Sequence, residues 1–221
     1  MPKLSGLFSS FDNLDQIDVS SLMVWLKPAP NPIQLENYLA GKILYPQTLP
    51  MSPSDMQIDL AILREALRLN GPKVGEKTNE LLGDNPFLNI ALRKIIIPER
   101  FLYFVPDLVT LTWAFVDGLL LGRQRKDLFE DLWAVVVSDD IDEVVGSVVI
   151  PKFNSKADVL ELNVLGKLIK IKAGSLTVVP CPKGRCEIAY KLTGGNLLGK
   201  QEAALEVYGG RLGLLIDGRG A

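Results

Sequence analysis

The sequence predicts an α+β protein: a helical N-terminal part with an extended arm, followed by a C-terminal antiparallel β-sandwich or small barrel. Three observations carry this. Between residues 54 and 122, apolar side chains recur at spacings of three and four, the period of a helix with one buried face. From residue 134 onward, β-branched runs separated by turns follow one another at intervals of roughly 8–12 residues, the rhythm of short paired strands. The chain then closes on Leu212-Gly213-Leu214-Leu215-Ile216, framed by Gly209-Gly210 before and Gly218 and Gly220 after. Glycine supplies the backbone freedom of tight turns, so this frame marks one short buried strand with sharp corners. The change of period divides the chain into an extended arm (1–53), a mostly helical domain (54–133) and an all-β domain (134–221).

In the arm, Leu22 to Leu26 reads as one strand, stopped by prolines at 28, 30 and 32. Pro32 to Ala40 reads as a short helix, with proline in its first turn and Gly41 just past its end. The large side chains Phe8, Phe11, Trp25, Tyr38 and Tyr45 are scattered through a segment with no core period of its own, so they are candidate docking residues. Ser52-Pro53-Ser54-Asp55 is the clearest helix start, opening a run in which Leu60, Leu63 and Leu67 share a face until Gly71-Pro72. Two shorter helices are expected over 76–82 and 86–96, the second passing into a strand at 94–97.

Residues 101–122 are apolar around most of a helix. Pro106, Asp107 and Asp117 interrupt the stretch and leave fewer than the roughly 20 clean residues a membrane span needs, so a central core helix is expected. A short amphipathic helix over 125–133 precedes the β region. There, strands are expected at 135–137, 144–150, 157–164, 168–171, 175–179, 186–192, 203–208 and 212–216.

The chain has 221 residues, 48% hydrophobic and 23% charged, with net charge −2 at pH 7, so it has no electrostatic footprint for nucleic acid. Residues 1–10 lack the layout of a signal peptide and two cysteines cannot build a disulfide framework, so a reduced, cytoplasmic setting is expected. The chain contains no histidine. That removes Ser–His and Cys–His dyads, imidazole metal ligands and the one side chain that titrates unaided near neutrality. Carboxylates, lysine, tyrosine and cysteine remain as chemical groups, but no complete catalytic motif unites them. No catalytic residue, cofactor or metal is assigned.

Four local patterns combine residue types that can carry chemistry. Cys181-Pro182-Lys183-Gly184-Arg185-Cys186 places two thiols on either side of a tight turn, where they stand free, form a disulfide, or supply half of a zinc site that carboxylates or a second subunit would have to complete. Free thiols are the simplest reading. Thr193 to Lys200 has glycines five apart followed by lysine, superficially a phosphate loop. Position 201 is Gln rather than Ser or Thr and no helix follows, so a β-turn is expected. Asp217 and Arg219 are placed to pair and hold a turn. Asp139, Asp140, Asp142 and Glu143 lack EF-hand spacing and read as a solvated linker.

Ala173 to Pro180, and then Tyr208 to Gly220, resemble the C-terminal region of the glutamate mutase L (MutL-like) family, where a similar GSLxVIPxPxG run precedes a GGxLGLxIDxRG ending. The similarity covers at most residues 144–220, and the final motif is its specific part. The larger part of that family is an actin/Hsp70-like ATPase whose nucleotide-binding signatures are missing here. The resemblance therefore implies the β-module, with a role in packing or partner contact, and not the ATPase. The family motif continues with a proline where this chain has Ala221, so the module is expected to be terminal.

The leading expectation is a non-catalytic interaction or assembly protein, docking through its β-domain and apolar arm onto a protein partner or a copy of itself. The alternatives are a regulatory protein binding a small ligand or nucleotide between the domains, and a peripheral membrane component using residues 101–122.

Overall fold

The computed structural model describes residues 14–82, 94–97, 101, 105, 107–120, 133–138 and 143–219, with the backbone alone for 71–82 and for most of residues 133–138. The α+β class holds: apart from the strand at 94–97 the helices precede the strands, and the strands assemble into two open sheets rather than a closed barrel. The chain divides into two compact units. One is built from residues 1–88 and 100–125, the other from 89–99 and 126–221.

The first unit contains α1 (Val19–Met23), α2 (Pro32–Leu44), α3 (Pro53–Leu82) and α4 (Leu108–Leu120), with a 3-10 turn at Leu14–Gln16 ahead of them. The strand expected at Leu22 to Leu26 is instead α1 and the turn after it. Leu22 and Leu26 are buried while Val24 between them is exposed, which is helical spacing and not strand alternation. The described part of the expected arm, residues 14–53, therefore packs: Leu14, Ile17, Leu22, Leu26, Leu35 and Leu39 all belong to the core.

Helix α2 begins where proline placed it, with the Asn31 side chain accepting from the Ile33 amide at 2.9 Å. It does not stop at Gly41 but runs another turn to Leu44, because Lys42 is drawn inward to a buried carboxylate. Helix α3 starts with a reciprocal cap: Ser52 Oγ accepts from the Asp55 amide at 3.1 Å, and the Asp55 carboxylate accepts from the Met51 amide at 3.1 Å. Its backbone continues through Gly71-Pro72 to Leu82, so the two expected helices are one. Pro72 lacks the amide that would bond the Arg68 carbonyl, a local loss the helix absorbs.

Helix α4 is the central part of the apolar 101–122 stretch. Asp107 caps it, accepting from the Val109 amide at 3.2 Å and the Thr110 amide at 3.1 Å; the Thr110 hydroxyl and these amides hold its carboxyl below the usual range. The helix lies closely on α3 at Gly118, where a Cβ would sit 2.6 Å from Leu67 Cβ and 2.8 Å from the Arg64 carbonyl oxygen. No helix among the described residues is long and apolar enough to cross a membrane. The amphipathic helix expected at 125–133 lies outside the described residues except for Trp133, which is in a strand instead, and the acidic positions 139, 140 and 142 also lie outside them.

The second unit contains β1 (Lys94–Ile97), β2 (Trp133–Ser138), β3 (Glu143–Val149), β4 (Val159–Val164), β5 (Lys167–Lys172), β6 (Leu176–Val179), β7 (Gly184–Thr193), β8 (Glu202–Gly209) and β9 (Gly213–Asp217). The four-stranded sheet, β5-β4-β7-β8, is antiparallel throughout, as expected. The five-stranded sheet, β1-β2-β3-β9-β6, is mixed: β1 is parallel to β2, and β3 to β9. The strand foreseen at 94–97 joins this sheet beside β2. Leu160, Leu162, Ile171, Ile188 and Tyr190 from one sheet and Val149, Val179, Leu214 and Ile216 from the other form one shared core.

The glycine-framed ending is β9, buried along its whole length in the five-stranded sheet. The chain reaches it from β8 of the other sheet by a corner in which backbones nearly touch. A Cβ on Gly209 would lie 2.0 Å from the Pro182 carbonyl oxygen, and one on Gly146 would lie 2.3 Å from that of Gly213. Gly213 itself has φ +75°, the left-handed region. Ser147 of β3 completes the corner: its hydroxyl accepts from the Tyr208 amide at 2.9 Å and donates to the Tyr208 carbonyl at 3.0 Å.

Close approach and backbone conformation make separable demands here. Gly209→Ala is expected to destabilise the chain by about 3 kcal/mol or more, since backbone must move. Gly166→Ala, at φ +77° with nothing within 4 Å of the added carbon, should lose only about 1–2 kcal/mol. Urea denaturation of the two variants reads the difference; equal losses would mean that the corner yields easily.

Candidate functional site

The described docking candidates go to different places. Trp25 turns inward: its Nε1 donates to Glu65 Oε1 at 2.8 Å, and the Arg64 guanidinium lies 5.4 Å from its ring. Tyr38 is half-buried, and its hydroxyl donates to Asp59 Oδ1 at 2.9 Å. Tyr45 stands exposed. Phe8 and Phe11 lie outside the described residues. Two of the five aromatics thus serve the unit's own packing.

Around Tyr38 is a buried polar cluster that composition does not announce. Lys42 is 3% exposed and Asp59 1%. The Lys42 Nζ donates to Asp59 Oδ2 at 2.8 Å and to the Thr48 carbonyl at 2.7 Å, and lies 5.4 Å from the Tyr38 ring centre. Burial pushes the Asp59 carboxyl above its ordinary range, against the opposing pull of the Lys42 ammonium and the Tyr38 hydroxyl. The same burial, with the Asp59 charge beside it, raises the Tyr38 phenol further. Two signals in the sequence mark this group: Tyr38 and Lys42 are four apart on one helix, and Asp59 interrupts an apolar stripe.

Helix α3 carries further inward charges. Arg64 Nε donates to Asp117 Oδ2 of α4 at 2.8 Å, and Glu65 pairs with Arg68 at 2.7 Å as well as with Trp25. Each of these groups is oriented by its neighbours, which is the geometry of a structural network.

The outward feature of this unit is the link from α2 to α3. Residues 43–53 contain no charge. Among the described residues Ile43, Leu44, Tyr45, Leu49 and Met51 are exposed there, Leu44 by 70% and Met51 by 90%. Thr48 pins the loop from within, its amide bonded to the Tyr45 carbonyl at 3.1 Å and its own carbonyl to Lys42. The buried ion pair therefore anchors the loop that displays these side chains. Of this set only Tyr45 is among the expected docking aromatics; the uncharged stretch between two helices is the sequence signal for the rest.

In the β unit, Cys181 and Cys186 are free thiols beside the sheet-crossing corner. No group of three or more potential metal ligands occurs among the described residues. The phosphate-loop look-alike is a pair of tight turns, with Gly194 at φ +81°, Gly195 at +82° and Gly199 at +75°. Asn196 exchanges two 2.9 Å backbone hydrogen bonds with Lys152, and the Asp158 carboxylate occupies the space beside Gly194. An acidic group there opposes a phosphate. Asp217 and Arg219 pair as expected, in two side-chain contacts of 2.9 and 2.8 Å. The outer face of the four-stranded sheet holds an open groove of about 270 Å³ lined by Glu161, Asn163, Leu168, Ala189, Lys191 and Glu202. It is smaller and shallower than the roughly 300–1,000 Å³ clefts that enclose small ligands.

No family model, no curated protein and no solved structure matches this chain.

The buried pair has a measurable signature. Lys42→Met or Asp59→Asn alone is expected to lose about 3–5 kcal/mol by stranding the other polar partner. Lys42→Met combined with Asp59→Leu should recover most of that loss in chemical denaturation. Additive losses would show that the two groups do not act as a pair.

Proposed function

We propose that this chain is an interaction or assembly protein that docks onto a protein partner through the uncharged link between α2 and α3. The observation that carries this reading is the display of five large apolar side chains, Ile43 and Leu44 at the end of α2 and Tyr45, Leu49 and Met51 in the loop after it, which a buried ion pair anchors through the Thr48 carbonyl. Scattered exposed apolar residues are ordinary on a protein surface, but a contiguous group marks a surface meant for covering. The absence of charge across residues 43–53 supports an apolar cleft as the partner surface, since charge complementarity has nothing to act on. The partner-contact role implied for the β-module by the C-terminal resemblance points in the same direction. Unit 1 contributes the docking loop in this reading, and no catalytic step is assigned.

Leu49→Asp together with Met51→Asp should leave thermal stability within about 0.5 kcal/mol of the wild type, because both side chains are exposed. The same variant should weaken association by roughly 30-fold or more, as loss of an apolar anchor does. Sedimentation of the wild type, alone and mixed with native extract, is expected to show a species heavier than the 24.3 kDa of one chain, and the variant should return to that mass. A wild type that stays at one-chain mass in both conditions overturns the proposal, as does an unchanged variant.

A further inference from the structure

Cys181 follows β6 of the five-stranded sheet, and Cys186 lies in β7 of the four-stranded sheet, so the pair spans the step from one sheet to the other. The turn between them reverses at Gly184, φ +99°, and brings Cys186 Sγ to 3.7 Å from the Pro182 carbonyl oxygen and 3.9 Å from that of Gly184. Cys186 packs against the same buried cluster that contains Cys181. Cys181 is buried in the shared core, while Cys186 is partly exposed at its rim. One thiol is thus open to a small reagent and the other lies in the core beside it.

We propose that Cys181 and Cys186 form a peroxide-responsive dithiol that closes to a disulfide linking the two sheets. The partly exposed Cys186 sulfur, as thiolate, attacks one peroxide oxygen. The S–O bond forms, the O–O bond breaks, and the departing hydroxide takes up the thiol proton as water. The Cys181 sulfur then attacks Cys186 sulfur; the S–S bond forms, the S–O bond breaks, and the leaving hydroxide carries off the Cys181 proton as a second water. Two thiols lose two electrons and two protons, and one hydrogen peroxide is reduced to two waters. A dithiol reductant reverses the change.

Accessibility sets the order of the two sulfurs. Burial, and then the neighbouring thiol, pushes Cys181 up to about 11, so it holds little thiolate near neutrality and is a poor first target. It acts as the resolving group because it lies in the cluster against which Cys186 packs. The disulfide would bind the crossing from β6 to β7 at the place where Cys181 and Pro182 backbone atoms pack on Gly209.

The test is treatment of the full chain with hydrogen peroxide, followed by mass spectrometry without reductant. The intact chain is expected to lose about 2 Da, the two thiol hydrogens. Trypsin cleaves after Lys172, Lys183, Arg185 and Lys191, so the peptides Ala173 to Lys183 and Cys186 to Lys191 should stay joined until dithiothreitol separates them. Cys181→Ser should stop at a dimedone-trapped sulfenic acid on Cys186, whereas Cys186→Ser should leave Cys181 unmodified over the same time. A gain of about 32 Da with no joined peptides, dimers linked between chains, or a Cys186→Ser variant that reacts as fast as the wild type would each overturn the proposal. None of these readouts involves a docking partner, so their failure is distinct from failure of the docking assay.

Discussion

The β unit depends on a near-contact of backbones where strand β8 leaves one sheet and β9 enters the other. A chain that changes sheets within four residues must pass its own neighbours closely, and side chains would hold them apart. Gly209 lies against the Pro182 carbonyl and Gly146 against the Gly213 carbonyl, in each case at a distance that a Cβ would violate. Tight approach also isolates polar groups, because the edge of β8 is turned away from a neighbouring strand at this point. The Ser147 hydroxyl supplies both missing partners of Tyr208. With the corner closed, β9 runs buried between β3 and β6 and joins the two halves of its sheet. The core shared by the two sheets then follows from alternation along each strand.

In the helical unit the corresponding constraint is electrostatic. Helix α3 turns Asp59, Arg64 and Glu65 inward, and each finds a partner on another element: Lys42 on α2, Asp117 on α4, and Trp25 just after α1. Burying such groups is unfavourable unless every one is matched, and matched pairs add little net stability over apolar replacements. Their effect is to admit one arrangement of the helices, since a shifted register would leave a charge stranded. Lys42 extends this control beyond the helices by bonding the Thr48 carbonyl in the following loop.

The strand order of events was legible because hydrophobic period reports which face of a segment is covered. All eight strands expected after residue 134 are present, and β9 lies where paired glycines framed it. The reason for those glycines was only partly legible: Gly213 needs its positive φ, whereas Gly209 and Gly146 are required by neighbours far away in the chain. Helix ends were read less well for the same physical reason. Gly41 and Gly71-Pro72 are local stop signals, and tertiary pairing or continued helix overrode them. The parallel pairings of β1 with β2 and β3 with β9 leave no local mark at all. Trp25 and Tyr38 were singled out for size, but their polar ends found buried carboxylates, which a search for apolar bulk does not detect.

The two units treat solvent in opposite ways, and the contrast bears on which surface receives a partner. Across the outer face of the four-stranded sheet, Lys170, Glu161, Lys191 and Glu202 stand in one cross-strand row of alternating sign. Lys170 meets Glu161 at 2.7 Å, and Lys191 meets Glu202 at 3.7 Å. Exposed pairs of this kind are screened by solvent and add little stability, so their consequence lies in hydration and in resisting association. Edge strand β5 also carries Lys167, Lys170 and Lys172, a charge pattern that discourages another strand from adding. The link between α2 and α3 has neither device: no charge interrupts it, and its apolar groups are held out by a loop that is itself anchored. The contrast between a sheet face and edge guarded by charge and a loop left bare is what supports the proposed docking at that loop.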